Sequence, residues 1–241
     1  MKNANVMYFA ILVSLLVSCK ETEEPQKPKV SYQATKDKVT KKLDPTLIEV
    51  ADLPIQMEGT NYLIYPIGDL SIYGDESKSS FGSSNSDRVS FKISNSSEYE
   101  ITGFLQNLKF QEIGSKKLNA LTDKAVLIQT ITYLKSVADK TDQSILAYTL
   151  ADLDTNQDSK IDTNDIKTLY ISDISGNRFT KLTPDLDELI DWNLIEANNH
   201  LYFRSIEDTN RNGKFDKNDV VHYNYVDLND KKWKVNSYKP I

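Results

Sequence analysis

A twelve-residue segment occurs twice in this chain, 54 positions apart, and nothing else in the sequence restricts the fold as strongly. The copies are 154–165, DTNQDSKIDTND, and 208–219, DTNRNGKFDKND, identical at seven of the twelve positions. Oxygen-bearing residues recur at positions 1, 3, 5 and 12, and position 7 can offer its backbone carbonyl. That is the spacing with which a twelve-residue loop encloses Ca²⁺, a hard cation taking six to eight oxygens. The candidate ligands of the first loop are Asp154, Asn156, Asp158, the Lys160 carbonyl and Asp165. Those of the second are Asp208, Asn210, Asn212, the Lys214 carbonyl and Asp219. Two structural calcium ions are therefore expected. Gly213 stands at position 6, where such a loop turns sharply and needs positive φ. The first copy has Ser159 there, and a left-handed serine costs about 1–2 kcal/mol. Against that strain, Asp154, Asp158, Asp162 and Asp165 give the first loop more carboxylates than Asp208, Asp216 and Asp219 give the second. The two effects oppose each other and leave the affinities unranked. Ile161 and Phe215, both at position 8, are the expected apolar anchors.

Both loops close on Asp, where the usual helix-loop-helix calcium loop has Glu. The pattern D-x-[DN]-x-[DN]-G-x-[IV]-D-x-x-D resembles the dockerin-type variant more than the calmodulin type. The flanks do not follow that resemblance. Residues 144–150 (SILAYTL) and 200–206 (HLYFRSI) precede the loops, and 168–174 (TLYISDI) and 221–226 (VHYNYV) follow them. These runs are short and rich in Tyr, Ile, Val and Thr, so they predict strands joined as hairpins by the loops. A unit of about 50 residues that recurs points to a propeller or an array.

Residues 169–184, LYISDISGNRFTKLTP, resemble the repeat of TolB-like propeller proteins: a strand ending in Ser-Asp, a Gly turn, and a strand running into Leu-Thr-Pro. Asp191-Trp192 resembles the start of a following blade, while Tyr225–Leu228, Trp233 and Pro240 keep less of the pattern. The resemblance spans residues 144–240 and implies an all-β chain of antiparallel, propeller-like blades with the calcium loops inserted in long hairpins. Only two blades are legible. At about 45 residues per blade the chain holds four, or else the stack is incomplete, since closed propellers use four to eight. The expected division is a 46–143 N-terminal β region and a 144–241 region holding both loop repeats.

The N-terminus carries its own signature. Lys2 precedes an apolar run from Val6 to Val17, too short for a membrane span and suited to a signal peptide over residues 1–18. Residues 16–19, Leu-Val-Ser-Cys, resemble a bacterial lipobox, which implies lipidation of Cys19, the one cysteine in the chain. Residues 20–24 (KETEE) resemble the export signal of Bacteroidetes surface lipoproteins. Residues 19–45 then read as a flexible tether, with Lys36, Lys38, Lys41 and Lys42 as a solvated basic stretch. The resemblance places the protein at the outer membrane, facing the cell surface and anchored by lipid.

Removing Lys2 with the signal peptide leaves 28 Lys and Arg against 35 Asp and Glu, a net charge near −7. That argues against nucleic acid as a partner, which selects a basic face. Between the termini, Asn61–Pro66 predicts the first core strand, 74–87 a Ser-rich loop, Arg88–Ile93 a strand, and Ile101–Ile113 one further strand. Leu121–Val137 is ambiguous in period and is read as strand. No nucleophile motif accompanies His200 or His222, and no feature selects a carboxylate pair such as Glu98 with Glu112 for glycoside hydrolysis. The sequence thus predicts a non-enzymatic, calcium-binding lipoprotein that acts as a binding or scaffold module for a protein or glycan. The alternatives are a dockerin-like adaptor for a cohesin and an envelope hydrolase.

Overall fold

The computed structural model describes residues 29–32, 47–71 and 94–241. The 1–18 leader, Cys19, most of the 19–45 segment, the 74–87 loop and the Arg88–Ile93 strand lie outside these residues. In chain order the first strands are β1 (Leu47–Ala51), β2 (Ile55–Gln56), β3 (Tyr62–Ser71), β4 (Ser94–Ser96) and β5 (Glu100–Leu105). Next come β6 (Asn107–Glu112), β7 (Leu118–Ala120), β8 (Leu127–Tyr133) and a short helix, α1 (Lys135–Lys140). The chain continues with β9 (Ile145–Ala151), β10 (Thr168–Asp173) and β11 (Thr180–Lys181). It ends with β12 (Glu188–Ile195), β13 (His200–Glu207), β14 (Val220–Asp227) and β15 (Val235–Ser237).

These strands form three antiparallel sheets. The first has the order β1-β3-β6-β7, with β2 also on β3; the second runs β11-β10-β9-β8-β5-β4; the third is the meander β12-β13-β14-β15. Hydrogen bonding crosses residue 144, because β8 pairs with β9 from Leu127↔Ala151 to Tyr133↔Leu146. The second sheet therefore draws strands from both of the regions expected from sequence.

The second sheet lies between the other two, and β9 explains how. Leu146, Tyr148 and Leu150 point into a core shared with Ile64, Leu108 and Phe110 of the first sheet. Ile145 and Ala147 point the other way, into a core shared with Leu201, Phe203 and Val226 of the third sheet and with Trp233, which precedes β15. A short apolar run buried on both faces is what a central strand requires. β13, by contrast, buries Leu201, Phe203 and Ser205 and turns Tyr202 and Arg204 outward, the alternation of a sheet covered on one face only.

Two expectations are corrected. Ile101–Ile113 is not one strand: β5 belongs to the second sheet and β6 to the first, with Gln106 between them. Leu121–Val137 is not uniformly extended, since the chain leaves β8 at Tyr133 and turns into α1, which buries Val137. Residues 29–32 also depart from the free tether, as Val30 is 2% exposed and packs against the domain. Among the described residues no helix is long and apolar enough to cross a membrane.

Candidate metal centres

Each twelve-residue segment connects two paired antiparallel strands, the first joining β9 to β10 and the second β13 to β14. The 54-residue offset extends beyond the loops, because β9, β10 and β11 correspond to β13, β14 and β15. The expected strand flanks are therefore present on both sides of both copies.

Inside the loops the same polar frame is built twice. The carboxylate at position 1 accepts the N–H of positions 5 and 6: Asp158 and Ser159 donate to Asp154 at 3.1 and 2.8 Å, and Asn212 and Gly213 to Asp208 at 3.1 and 2.7 Å. The amide oxygen at position 3 accepts the N–H of position 5, at 2.9 Å in both Asn156 and Asn210. Position 5 accepts from position 7, Lys160 to Asp158 at 3.0 Å and Lys214 to Asn212 at 2.8 Å. The closing carboxylate is held by positions 2 and 9. Asp165 accepts from Thr155 at 2.7 Å and Asp162 at 2.8 Å, and Asp219 from Thr209 at 3.2 Å and Asp216 at 2.8 Å. Backbone N–H groups thus point at side-chain oxygens and fix their directions, as these donors must be satisfied by something.

The backbone pays for this curl with left-handed residues at positions 4 and 6. Gln157 and Ser159 have φ of 61° and 71°, and Arg211 and Gly213 have 55° and 79°. Position 6 was legible from Gly213; position 4 was not, as neither Gln nor Arg signals positive φ. Burial differs between the copies. Asp165 is 1% and Asp208 4% exposed, while Asp158, Asn210 and Asn212 are open to solvent. Burial raises the Asp165 carboxyl above the ordinary range, and the N–H groups of Asp162, Thr155 and Asn156 oppose that rise. Ile161 and Phe215 are both half-buried.

Among the described residues no three His, Cys, Asp or Glu side chains gather closely enough to hold a metal ion. The donor set itself fits a hard cation: carboxylates, amide oxygens and one backbone carbonyl per loop, with no nitrogen or sulfur ligand. In the second loop only Asp208 and Asp219 among the assigned ligands are carboxylates, the rest being amides and a carbonyl. Sequence reasoning missed the part played by Thr155 and Thr209 at position 2, which orient the closing carboxylate. Both belong to the identical set, and that was the available signal.

The remaining candidates do not assemble into a catalytic group. His200 stacks on Tyr225, ring centres 4.9 Å apart, with Nε2 3.7 Å from Asp227 Oδ1. His222 Nε2 lies 2.9 Å from Glu207. Glu98 accepts a hydrogen bond from the Tyr99 hydroxyl at 2.9 Å, and Glu112 ends β6 in a different sheet. The outer face of the third sheet carries an aromatic cluster, Tyr202 lying 5.5 Å from Tyr225 and 5.4 Å from Tyr238. Beside it a cavity of 210 Å³ is lined by His200, Tyr225, Asp227, Asp230, Lys234 and Asn236. No family model, no curated protein and no solved structure matches the chain.

Proposed function

We propose that the two loops are structural calcium sites in an exported, lipid-anchored module that binds a protein or glycan at the outer membrane surface. The observation that carries this reading is the duplicated frame, in which six N–H groups per loop make the same seven hydrogen bonds to seven side-chain oxygens in the same register. Asp154, Asn156, Asp158, the Lys160 carbonyl and Asp165 would hold one ion, and Asp208, Asn210, Asn212, the Lys214 carbonyl and Asp219 the other. Bound calcium supplies charge neutralisation, and no step of chemistry is assigned to it. With Cys19 lipidated there is no disulfide to staple the domain, and a metal takes that role. The strand flanks count against the dockerin-like adaptor, whose loops sit between helices. The two consecutive meanders, β8 to β11 and β12 to β15, support propeller-like blades as the arrangement that presents the loops. The aromatic face of the third sheet, with its adjoining cavity, is the surface best suited to a ligand, since half-buried rings beside fixed polar groups are how such sites bind.

The test is a calorimetric calcium titration of a form lacking residues 1–19, with melting followed in calcium and in chelator. Two binding events with a raised melting temperature are expected. An absence of binding heat, with identical melting curves, reduces the loops to polar connectors.

A further inference from the structure

Residues 29–32 form a strap that lies across both loops. The N–H groups of Lys29 and Val30 donate to the Gly213 carbonyl at 2.7 and 3.2 Å, and the Ser31 N–H to the Thr155 carbonyl at 2.7 Å. In return, Thr155 Oγ1 donates to the Lys29 carbonyl at 2.8 Å and Gln157 Nε2 to the Ser31 carbonyl at 3.0 Å. Lys29 Nζ lies 3.2 Å from Glu188 at the start of β12. The Tyr32 hydroxyl hydrogen-bonds to Asp208, and the Arg211 guanidinium stands 5.8 Å from the Tyr32 ring centre. Burial, then that hydrogen bond, pushes the Tyr32 hydroxyl up to about 12.

The loop positions used are the ones that shape each loop. Gly213 is the left-handed residue at position 6, and Asp208 is the position 1 carboxylate. Thr155 holds the closing carboxylate of the first loop through its N–H, 2.7 Å from Asp165 Oδ1, and gives its hydroxyl proton to the Lys29 carbonyl at 2.8 Å. Four residues of strap therefore touch both copies of the repeat, and Val30 is buried between them. A segment whose backbone groups are met by both loops is a peptide docked in a groove.

We propose that the two loops together form a docking groove whose occupant is this chain's own residues 29–32, and that calcium in the loops holds the strap in place. This rests on the calcium reading above. A cation that fixes the loop backbone fixes the Gly213 and Thr155 carbonyls with it, so the docked form binds calcium more tightly than the undocked form. By linkage, calcium then favours docking and docking favours calcium.

The experiment uses the full chain in detergent micelles, treated with trypsin in calcium and in chelator. The product ending at Lys29 is followed by mass spectrometry, and calcium binding is measured in parallel by calorimetry. Cleavage of the Lys29–Val30 bond requires the strap to leave the groove, and its rate reports the undocked population. Cleavage is expected to be at least about tenfold slower in calcium. Ser31→Pro removes the N–H donated to Thr155 while leaving every loop residue intact. That variant is expected to bind calcium yet lose most of the difference in cleavage. Calcium binding with equal cleavage rates in both conditions overturns the strap proposal alone. Protection that survives unchanged in Ser31→Pro also overturns it, whereas absence of calcium binding overturns the calcium reading and the strap together.

Discussion

Ser159 has φ of 71° at a position where the second loop uses Gly213 at 79°. A Cβ in that region costs about 1–2 kcal/mol, part of which a glycine returns through its more disordered unfolded state. Ser159→Gly is expected to stabilise the protein by about 1 kcal/mol, read as a raised urea midpoint. Gly176 is the opposite case. Its φ is 79°, and an added Cβ would stand 2.4 Å from Cε2 of the fully buried Phe110 ring. Phe110 is packed in the core between the first two sheets, so Gly176→Ala is expected to cost about 2–3 kcal/mol by the same assay. Two aspartates near the third sheet respond oppositely to pH. Burial raises Asp187, against the Ser205 hydrogen bond and the nearby His222, so folding favours its protonated form. Its contribution is whole below the unfolded value near about 3.9 and is lost as pH rises through the higher folded value. Asp191 is lowered by its hydrogen bond to Arg204, and its contribution is lost as pH falls, though solvent exposure screens that pair. Asp187→Asn is therefore expected to melt higher than the parent at pH 7, with the gap closing toward pH 4. A gap that widened on acidification would reverse the sign assigned to burial.

The strands around the loops were legible because their side chains are short-period and aromatic or β-branched, and local pattern decides such segments. The polar frame of the two loops was legible for the same reason: a loop's chemistry is contiguous. The break at Gln106 has a local signal, because the buried positions switch from odd, Ile101 and Leu105, to even, Leu108 and Phe110. A change of parity means the chain has changed the face it buries, here by changing sheets. Helix α1 was hidden by the strand before it. Leu134, Val137 and Ala138 follow helical spacing, but six residues are too few for a period to stand out after the seven of β8. The strap had no signal at all. Residues 29–32 are polar apart from Val30 and Tyr32, and what they bind lies more than 120 residues away, as the Thr155 contact with Lys29 spans 126 positions. Pairings such as β3 with β6 are equally non-local and cannot be read from either strand alone.

Across the whole molecule, two cores share one central sheet, and that sharing decides how the protein melts. Each fully buried aliphatic or aromatic side chain contributes about 1.5–3 kcal/mol, and β9 places such residues in both cores at once. Loss of either core uncovers a face of β9, so unfolding is expected to be a single transition. Of the chain's two tryptophans, Trp233 is buried in the core between the second and third sheets and Trp192, half-buried, packs against it. Their fluorescence reports that core, while far-UV circular dichroism reports every strand. Coincident urea curves are expected, and a fluorescence midpoint displaced from the dichroism midpoint would show that the cores unfold separately. The position of the strap gives the molecule a mechanical property as well. β1 is an edge strand, held to the rest of the first sheet by its pairing with β3. A pull arriving along the chain from its N-terminal side meets residues 29–32 before it meets β1. The strap works like the strain relief on a cable, delivering tension to the loop ends of the second and third sheets and sparing the edge strand that would otherwise be peeled away first.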